Sequence, residues 1–525
     1  MIKQLCVWGA LSVSIACAKA SLPPDQPVTL VVAINGDPGA LNPAVTTSGN
    51  THPVTDQIFN GLVGLDQQLN PVPELAERWT IEDQGRAYRF DLRHDVRWHD
   101  GTPFTSADVK FTFEDALLKY HSRTRAALEG LLEGVETPDP YTAIFRLRRP
   151  YSPLLQRLDV VEASIIPQHQ YAGHDLLSGE PTRHPIGTGP FRFVSYAPGD
   201  RLTLERNGDY FRRGFPGVDR LVFRILPDAV TAIAALENGE VDYVGGVPGP
   251  DVARLRASSA ITVESSSGGS GGSNCQDVLI PNLTKTPFSD VRVRQAFAQA
   301  LDRTLIAERV YFNQGRAATG PISHLLAWAY TADVRQYPHD PIAAGRLLDA
   351  AGFRRKANGE RFAITFTHAS TQQRLAQVLR AQLKEVGIRL ELEMLDFNAQ
   401  VDRVFVKKTF DLGLASYCNG ADPDIGVRRV YVSSNIGPFP FSNGAGYRNS
   451  RVDALFDDAA SLEDRDQRRE RYVSIQRLLA DEVPYFWLID SEGLRAHRTA
   501  FTGFRLWTGA FLEAVKVAST PSTGR

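Results

Sequence analysis

Cysteine and methionine are nearly absent, with four and two residues in a chain of 525. So few cysteines exclude a structural zinc cluster or a disulfide-dense scaffold. No Gly-x-Ser-x-Gly nucleophile elbow joins a strand to a helix and no His-Glu-x-x-His helix occurs, so neither common hydrolase construction is encoded. No lysine follows a glycine anywhere, which excludes a standard nucleotide P-loop. An excess of either charge is lacking too: 58 Lys and Arg oppose 60 Asp and Glu, which is no footprint for nucleic acid. No apolar run approaches the roughly 20 residues that span a bilayer.

What is present is ordinary globular material, 43% hydrophobic and 22% charged, enough for large buried cores. The first residues form an export signal: Lys3, an apolar run from Leu5 to Ala16, then Ala18-Lys19-Ala20 as a cleavage site before Ser21. Cys17 fits a lipoprotein anchor less well, because Ser14 stands where such a signal carries a larger aliphatic residue. Removing residues 1–20 takes away Lys3 and Lys19, leaving 56 basic against 60 acidic residues and a net charge of −4. It also leaves Cys275 and Cys418 in an oxidising compartment, where either a disulfide or two buried thiols is open.

Two strand–helix–strand units stand out. In the first, Leu221–Leu226 leads to a helix capped by Asp228 and stopped by Gly239, with Val241–Val244 as the return strand. In the second, Ile364–Thr367 precedes a helix capped by Ser370 or Thr371 that runs to Val386 and Gly387, then Ile388–Met394. Each predicts a parallel pair with a right-handed crossover, hence α/β lobes. Short strands at Ala87–Leu92 and Thr142–Leu147, among prolines 138, 140, 150 and 153, read as a separate subdomain. The tract Ser265–Ser273 is Gly/Ser-only and reads as a flexible segment beside a lobe crossing. His94 with His99, and His169 with His174, sit five apart in strand or loop, a spacing that puts neither pair on one helix face; solvated side chains are expected rather than metal ligands.

The most informative run is Trp98-His99-Asp100-Gly101-Thr102-Pro103-Phe104-Thr105, continuing through Asp108-Val109: a turn at Asp100-Gly101, then Thr105 and Asp108 capping a helix to Tyr120. With Pro71–Trp79, Ile186–Phe191, Leu204–Phe211, Pro287–Phe297, Asp422-Pro423-Asp424 and Tyr447–Asp453 in order, the chain resembles the extracellular solute-binding proteins of peptide, dipeptide and nickel ABC importers, family 5. The resemblance implies an α/β two-lobed periplasmic binding protein fold of the large, cluster C type with an extra inserted subdomain. It implies lobe I from 21–56, 181–274 and 485–525, the subdomain from 57–180 and lobe II from 275–484. A hinge is expected near Val244–Val247 and Ser273–Gln276, and some relatives join positions similar to Cys275 and Cys418.

The same resemblance implies a periplasmic, non-enzymatic receptor for a small polar solute: a monomer that closes over its ligand, delivers it to membrane permease subunits, and uses no cofactor, metal or nucleic acid. Specificity is expected in Leu412–Asp424, which follows a strand. Peptide-binding relatives carry an Asp four residues before the corresponding Pro to hold the ligand's α-ammonium; that position is Asn419 here, without the charge. Candidate ligand-binding residues are Asn35, Asn50, Thr51, His368, Ser370, Tyr417, Cys418, Asn419, Asp422, Arg428 and Trp487, with Arg429, Thr371 and Gln372 beside them. Tyr417 and Trp487 offer stacking surfaces, and the guanidinium groups suit carboxylate or phosphate. The expected cargo is therefore an anionic conjugate, of sugar-phosphate or opine type. An ordinary peptide or a metal chelate is the alternative, and a secreted hydrolase or a sensory protein on the same fold are the other classes.

Overall fold

The computed structural model describes residues 27–265, 274–438, 440–505 and 510–519. The expected signal segment 1–20 and residues 266–273 of the Gly/Ser tract, including the spelling Gly268-Gly269-Ser270-Gly271-Gly272, lie outside the described residues.

Two mixed sheets organise the chain. The first runs Ile261–Ser265, Leu494–Arg498, Tyr243–Val244, Thr29–Ile34, Arg220–Ile225, Arg201–Arg206, Phe191–Ala197 in spatial order. The second runs Gly315–Ala317, Phe486–Ser491, Cys275–Pro281, Leu412–Cys418, Phe362–Ala369, Ile388–Leu395. A four-stranded antiparallel sheet, Ala76–Glu82, Ala87–Leu92, Thr142–Leu147 and Leu132–Asp139, forms the core of the inserted subdomain. One apolar core runs unbroken from the subdomain to one face of the first sheet, joining Phe90, Phe113 and Phe145 to Leu30, Leu204 and Phe223. Separate cores cover the two faces of the second sheet. The subdomain is thus an extension of the first lobe, and the cleft lies between it and the second.

Local chemistry explains the crossover helices. The Asp228 carboxylate accepts from the Thr231 N–H at 2.8 Å, and the helix Ala229–Asn238 ends at Gly239 with φ +76°, the left-handed closure glycine permits. The helix Gln373–Glu385 starts one turn later than its expected Ser370 or Thr371 cap. Ser370–Gln372 form a 3₁₀ turn in which the Gln372 side chain accepts the Ala369 N–H at 2.9 Å. Its return strand Ile388–Leu395 pairs in parallel with Phe362–Ala369. The first unit differs from expectation: Arg220–Ile225 and Tyr243–Val244 are parallel but not adjacent, because Thr29–Ile34 pairs with both and lies between them.

Two further expectations are corrected. Phe486–Ser491 is hydrogen-bonded into the second sheet beside Cys275–Pro281, and only Leu494–Arg498 joins the first. The return expected at 485 therefore falls between 491 and 494; Phe486 and Leu488 pack in the second lobe's core. Val244–Val247 is not a crossing, since the chain stays in the first sheet as far as Ser265. The crossings are the connections from Ser265 to Cys275 and from Ser491 to Leu494.

The Trp98–Asp108 run is structural. The buried Asp108 carboxylate accepts from the Thr105 and Gln168 backbone N–H groups, both at 2.9 Å, and from Trp98 Nε1 at 3.4 Å. The helix begins at Ser106, widens to π geometry over Thr112–Leu117 and ends at Tyr120. His99 is not solvated as expected: its Nδ1 accepts from Gly187 N–H at 3.2 Å, its Nε2 donates to Gly189 O at 3.0 Å, and burial pushes it down to about 4. His94 stacks on Tyr141, and His169 pairs with Asp100 at 2.7 Å. A Cβ on Gly187 would lie 1.8 Å from Ile58 O, so this close approach admits only glycine. Asp108→Ala should cost roughly 1–3 kcal/mol by stranding buried donors, read from the midpoint of chemical unfolding.

Candidate functional site

The antiparallel strands Cys275–Pro281 and Leu412–Cys418 end side by side at the cleft, with Cys275 directly opposite Cys418, and a disulfide joins them. Beyond it the Asn419 N–H donates to Asn274 O at 2.9 Å, and the chain turns through Gly420–Gly426 into the short helix Arg428–Tyr431. Gly426 has φ +115°, and a Cβ there would lie 2.5 Å from Asn419 Oδ1. This turn brings Arg429 back against the strand end. Its Nη2 donates to Cys418 O at 3.3 Å and its guanidinium lies 5.9 Å from the centre of the Tyr417 ring.

The facing wall comes from the subdomain. The helix Ser122–Leu128 is capped by His121, whose Nδ1 accepts from the Thr124 N–H at 3.3 Å, and the Thr124 hydroxyl donates to Glu162 O at 2.7 Å. Arg123 lies 3.1 Å from the buried Glu162 carboxylate, which is itself set by the Asp159 cap of the turn Val160–Ala163. Burial alone would raise Glu162, but Arg123, Arg157, His121 and His52 outweigh it and hold the carboxyl below its usual range. Burial pushes His121 down to about 3. His52 behaves oppositely, because Asp56 at 2.9 Å overcomes burial and raises it.

Charge in this cluster is unevenly matched. Arg123 has Glu162 and Arg157 has Asp424. Arg429 has no carboxylate partner among the described residues. Burial lowers its affinity for its own proton and the Arg123 and Arg157 charges lower it further, against the opposing pull of the Tyr417 hydroxyl and the Glu162 carboxylate. Among the described residues, the buried atoms Arg429 Nε, Arg123 Nε, Asn419 Oδ1, Asn274 Oδ1 and His121 Nε2 make no protein hydrogen bond, and the Glu162 carboxylate is held by the Arg123 ion pair alone. Stranded donors and acceptors of this kind are costly unless a bound polar group meets them.

The walls are locked together beside this cluster. Tyr151 donates to Asp424 Oδ2 at 2.5 Å, Arg157 Nε donates to the Tyr151 hydroxyl at 2.6 Å, and Arg157 Nη2 reaches Asp424 O at 3.0 Å. Arg465 donates to Asn70 at 2.8 Å, and the Ser152 hydroxyl donates to Leu462 O. Burial opposes the Asp424 charge, yet Arg428, Arg157 and the Tyr151 hydroxyl together hold its carboxyl below the usual range. A depressed carboxyl stabilises the contact at pH above its free value, about 4, and loses it as the pH falls through the folded value. Acidification below about pH 4 should therefore open the lobes before it unfolds them, visible as a rise in radius of gyration that Asp424→Asn shows already at pH 7.

The expected site residues divide. Cys418 and Asn419 come together with Arg429 at the strand ends, while Tyr417 packs in the second lobe's core with its hydroxyl donating to Ser442 O at 3.2 Å. Asn50 packs against Gly36, and the buried Thr51 hydroxyl donates to Pro38 O at 2.8 Å, immediately before His52. Asn35 is exposed after the strand Thr29–Ile34, and Ser370 is exposed. His368 is buried, with its ring stacked on Phe366 and Nδ1 2.9 Å from Ala369 O. Three other expected residues are engaged within the protein. Asp422 is fully buried, taken by Arg468 at 2.7 Å and Tyr472 at 3.1 Å; Arg428 pairs with Asp457 at 2.6 Å and with Asp424. Trp487 packs in the second lobe's core and donates to the Tyr431 hydroxyl at 2.7 Å. Sequence reasoning missed Arg123, Glu162, Arg157, Tyr151 and Asn274, for which no local pattern gave a signal.

Two lobes joined by two crossings, with polar groups from both converging on a locked cleft, define a solute-binding receptor. The family model for the bacterial extracellular solute-binding proteins, family 5 (middle region), matches residues 70–438, and the chain belongs to that family. It is a substrate-binding protein of the ABC-importer type. Among curated proteins it is similar to the glutathione-binding protein GsiB of Escherichia coli O1:K1, 27% identical over 481 residues, 90% of this chain and 91% of that one. Among solved structures it is similar to the oligopeptide-binding protein AppA of Bacillus subtilis in complex with a nonapeptide, at 26% identity and TM-score 0.77, over 94% of this chain and 100% of that one. The fold also matches AgaA of A. tumefaciens R10 in complex with agropinic acid, at 24% identity and TM-score 0.76, over 94% and 99%. Among the described residues no helix is long and apolar enough to cross a membrane.

Proposed function

We propose that this protein is a periplasmic, non-enzymatic receptor that captures a small, net-negative solute between its lobes and delivers it to the permease of its importer. The observation that carries this reading is Arg429, a guanidinium in the cleft wall with an unbonded Nε and no ion pair among the described residues, where the Arg123 charge outweighs the more distant Glu162 carboxylate. A buried unpaired cation is strongly unfavourable. A carboxylate or phosphate of the cargo, bidentate at the guanidinium, removes that cost and relieves the repulsion between the walls. Because Arg123 belongs to one wall and Arg429 to the other, the anion's contacts are complete only in the closed form, which is what a closure-driving ligand requires.

Asn419 sets the second half of the specificity. It and Asn274 offer neutral carbonyl oxygens suited to hydroxyl or amide N–H donors, and leave an α-ammonium without a paired charge at that point. GsiB is named for glutathione and AppA is solved with a nonapeptide, so membership of the family leaves the cargo class open. Glutathione, a peptide of net negative charge, falls on the anionic side of this division.

Titration calorimetry of the mature chain at pH 7 against gluconate- and sugar-phosphate-type conjugates, opine-type acids, glutathione, trialanine and nickel–histidine tests the reading. Net-negative solutes should bind at least tenfold more tightly than trialanine. Tight binding of ordinary di- and tripeptides, with no binding of the anionic conjugates, would overturn it. Incubation followed by product analysis should return every ligand unchanged.

A further inference from the structure

Two segments from different lobes meet beside the hinge without belonging to either crossing. In the first lobe, the chain leaves the strand Tyr243–Val244 and turns through Pro248, Gly249 and Pro250. In the second lobe, the helix Arg303–Arg309 is joined to the strand Gly315–Ala317 by a loop that carries Phe312. A Cβ built on Gly249 would lie 2.5 Å from two atoms of the Phe312 ring and 2.6 Å from the Phe312 Cβ. Glycine is required there for space rather than for backbone freedom. Its φ lies outside the left-handed region, and a proline on each side stiffens the turn.

The opposing ring is held in an unusual way. Phe312 has φ +53° and Asn313 φ +60°, two successive left-handed residues that bear side chains, an arrangement that persists only where the surroundings over-determine it. The loop is fixed to its own lobe: the Asn313 N–H donates to Ala307 O at 2.9 Å and the Gln314 N–H to Tyr311 O at 2.8 Å. Packing inside the second lobe does not account for the ring, which is 39% exposed. It is placed instead between the Gly249 turn and the Arg374 guanidinium, which lies 4.9 Å from the ring centre. Gln314 adds a second link between the lobes, with its Nε2 donating to Val247 O at 2.9 Å, while its carbonyl accepts from Glu492 N–H, in the crossing, at 3.4 Å.

Because Phe312 and Gly249 are each fixed to their own lobe, rotation about the crossings must part this contact or slide it. We propose that Phe312 and Gly249 form the closure stop of this receptor: the ring seats on the bare glycine backbone as the lobes close, and the lack of a side chain at 249 sets how far they close and how tightly any cargo is held. Arg123 lies in one wall of the cleft and Asn419 and Arg429 in the other, so a side chain wedged at 249 holds the two halves of the site apart. Apparent affinity then falls with the fraction of molecules still able to close. The stop concerns closure and not the charge of the cargo, so it stands or falls apart from the anionic reading.

Crosslinking across the cleft reads the closed population in the ligand-free mature chain. Asn70 and Arg465 meet across the cleft at 2.8 Å, and a short bis-maleimide joins Asn70→Cys to Arg465→Cys when the lobes close, Cys275 and Cys418 being bridged to each other. In that background Gly249→Val should slow crosslinking roughly tenfold or more, as expected for overfilling a close contact, and Gly249→Ala should slow it less. Adding Phe312→Ala to Gly249→Val should return the rate to within about threefold of that of Phe312→Ala alone. All of these variants should keep the urea unfolding midpoint of the background, since the contact lies between the lobes and not inside either. A Gly249→Val rate equal to that of the background would overturn the proposal. So would a slow rate that Phe312→Ala fails to relieve, which is the result expected if the valine only damages the first lobe.

Discussion

Arg429→Met should weaken binding of an anionic cargo by roughly 100- to 4000-fold. The expected loss of about 3–5 kcal/mol is that of removing one partner from a buried ion pair, and each 1.4 kcal/mol is tenfold in affinity. The same variant should fold at least as stably as the wild type when ligand-free, because it removes a guanidinium that burial and Arg123 both disfavour. Lower affinity with equal or higher ligand-free stability separates a ligand contact from a structural one, for which both would fall together. Arg429→Lys should recover part of the binding, since a lysine restores the charge but not the planar two-pronged donor. Calorimetry on the tightest-binding anion, paired with urea unfolding of the ligand-free variants, reads both quantities.

Loss of the Cys275–Cys418 disulfide is the second large effect expected. The bridge closes a loop with a sequence separation of 143 residues, worth roughly 4–5 kcal/mol of unfolding free energy in the chain-entropy account. Cys275→Ser with Cys418→Ser should lower the denaturation midpoint accordingly, and a reductant should do the same to the wild type. Binding should fall too, by less. The bridge sets the strand ends from which Asn274 and Asn419 turn, and Arg429 donates to the Cys418 carbonyl. If both cysteines can be replaced with no change in the unfolding midpoint, the bridge is not a structural element of the second lobe.

Local signals in the sequence were read well because their causes are local. A carboxylate cap at Asp228, a left-handed glycine at Gly239, and the alternating strands Ala87–Leu92 and Thr142–Leu147 depend on residues a few positions away. The insertion of Thr29–Ile34 between the strands of the first crossover unit depends on pairing across some 190 residues, and no periodicity encodes it. The site shows the same division. Asn419 was legible because it departs from a family pattern at a fixed offset from Pro423, whereas Arg123 and Glu162 reach it from the opposite lobe. Asp422 and Asp424, two residues apart, look equivalent in sequence. One is enclosed by Arg468 and Tyr472 inside the second lobe, and the other crosses the cleft to Tyr151 and Arg157. The burial of Trp487 and the pairing of Arg428 with Asp457 are likewise tertiary facts that no local pattern encodes.

The proposed function is closure on an anion. Its most direct test is native mass spectrometry of the mature protein purified from expressing cells without denaturation, followed by release of whatever it carries. Closure on an anion predicts one or a few small species that ionise as anions, are displaced by the anionic solutes of the calorimetric panel, and are missing from protein carrying Arg429→Met. A ladder of ordinary peptides, retained equally by the wild type and by Arg429→Met, would contradict it.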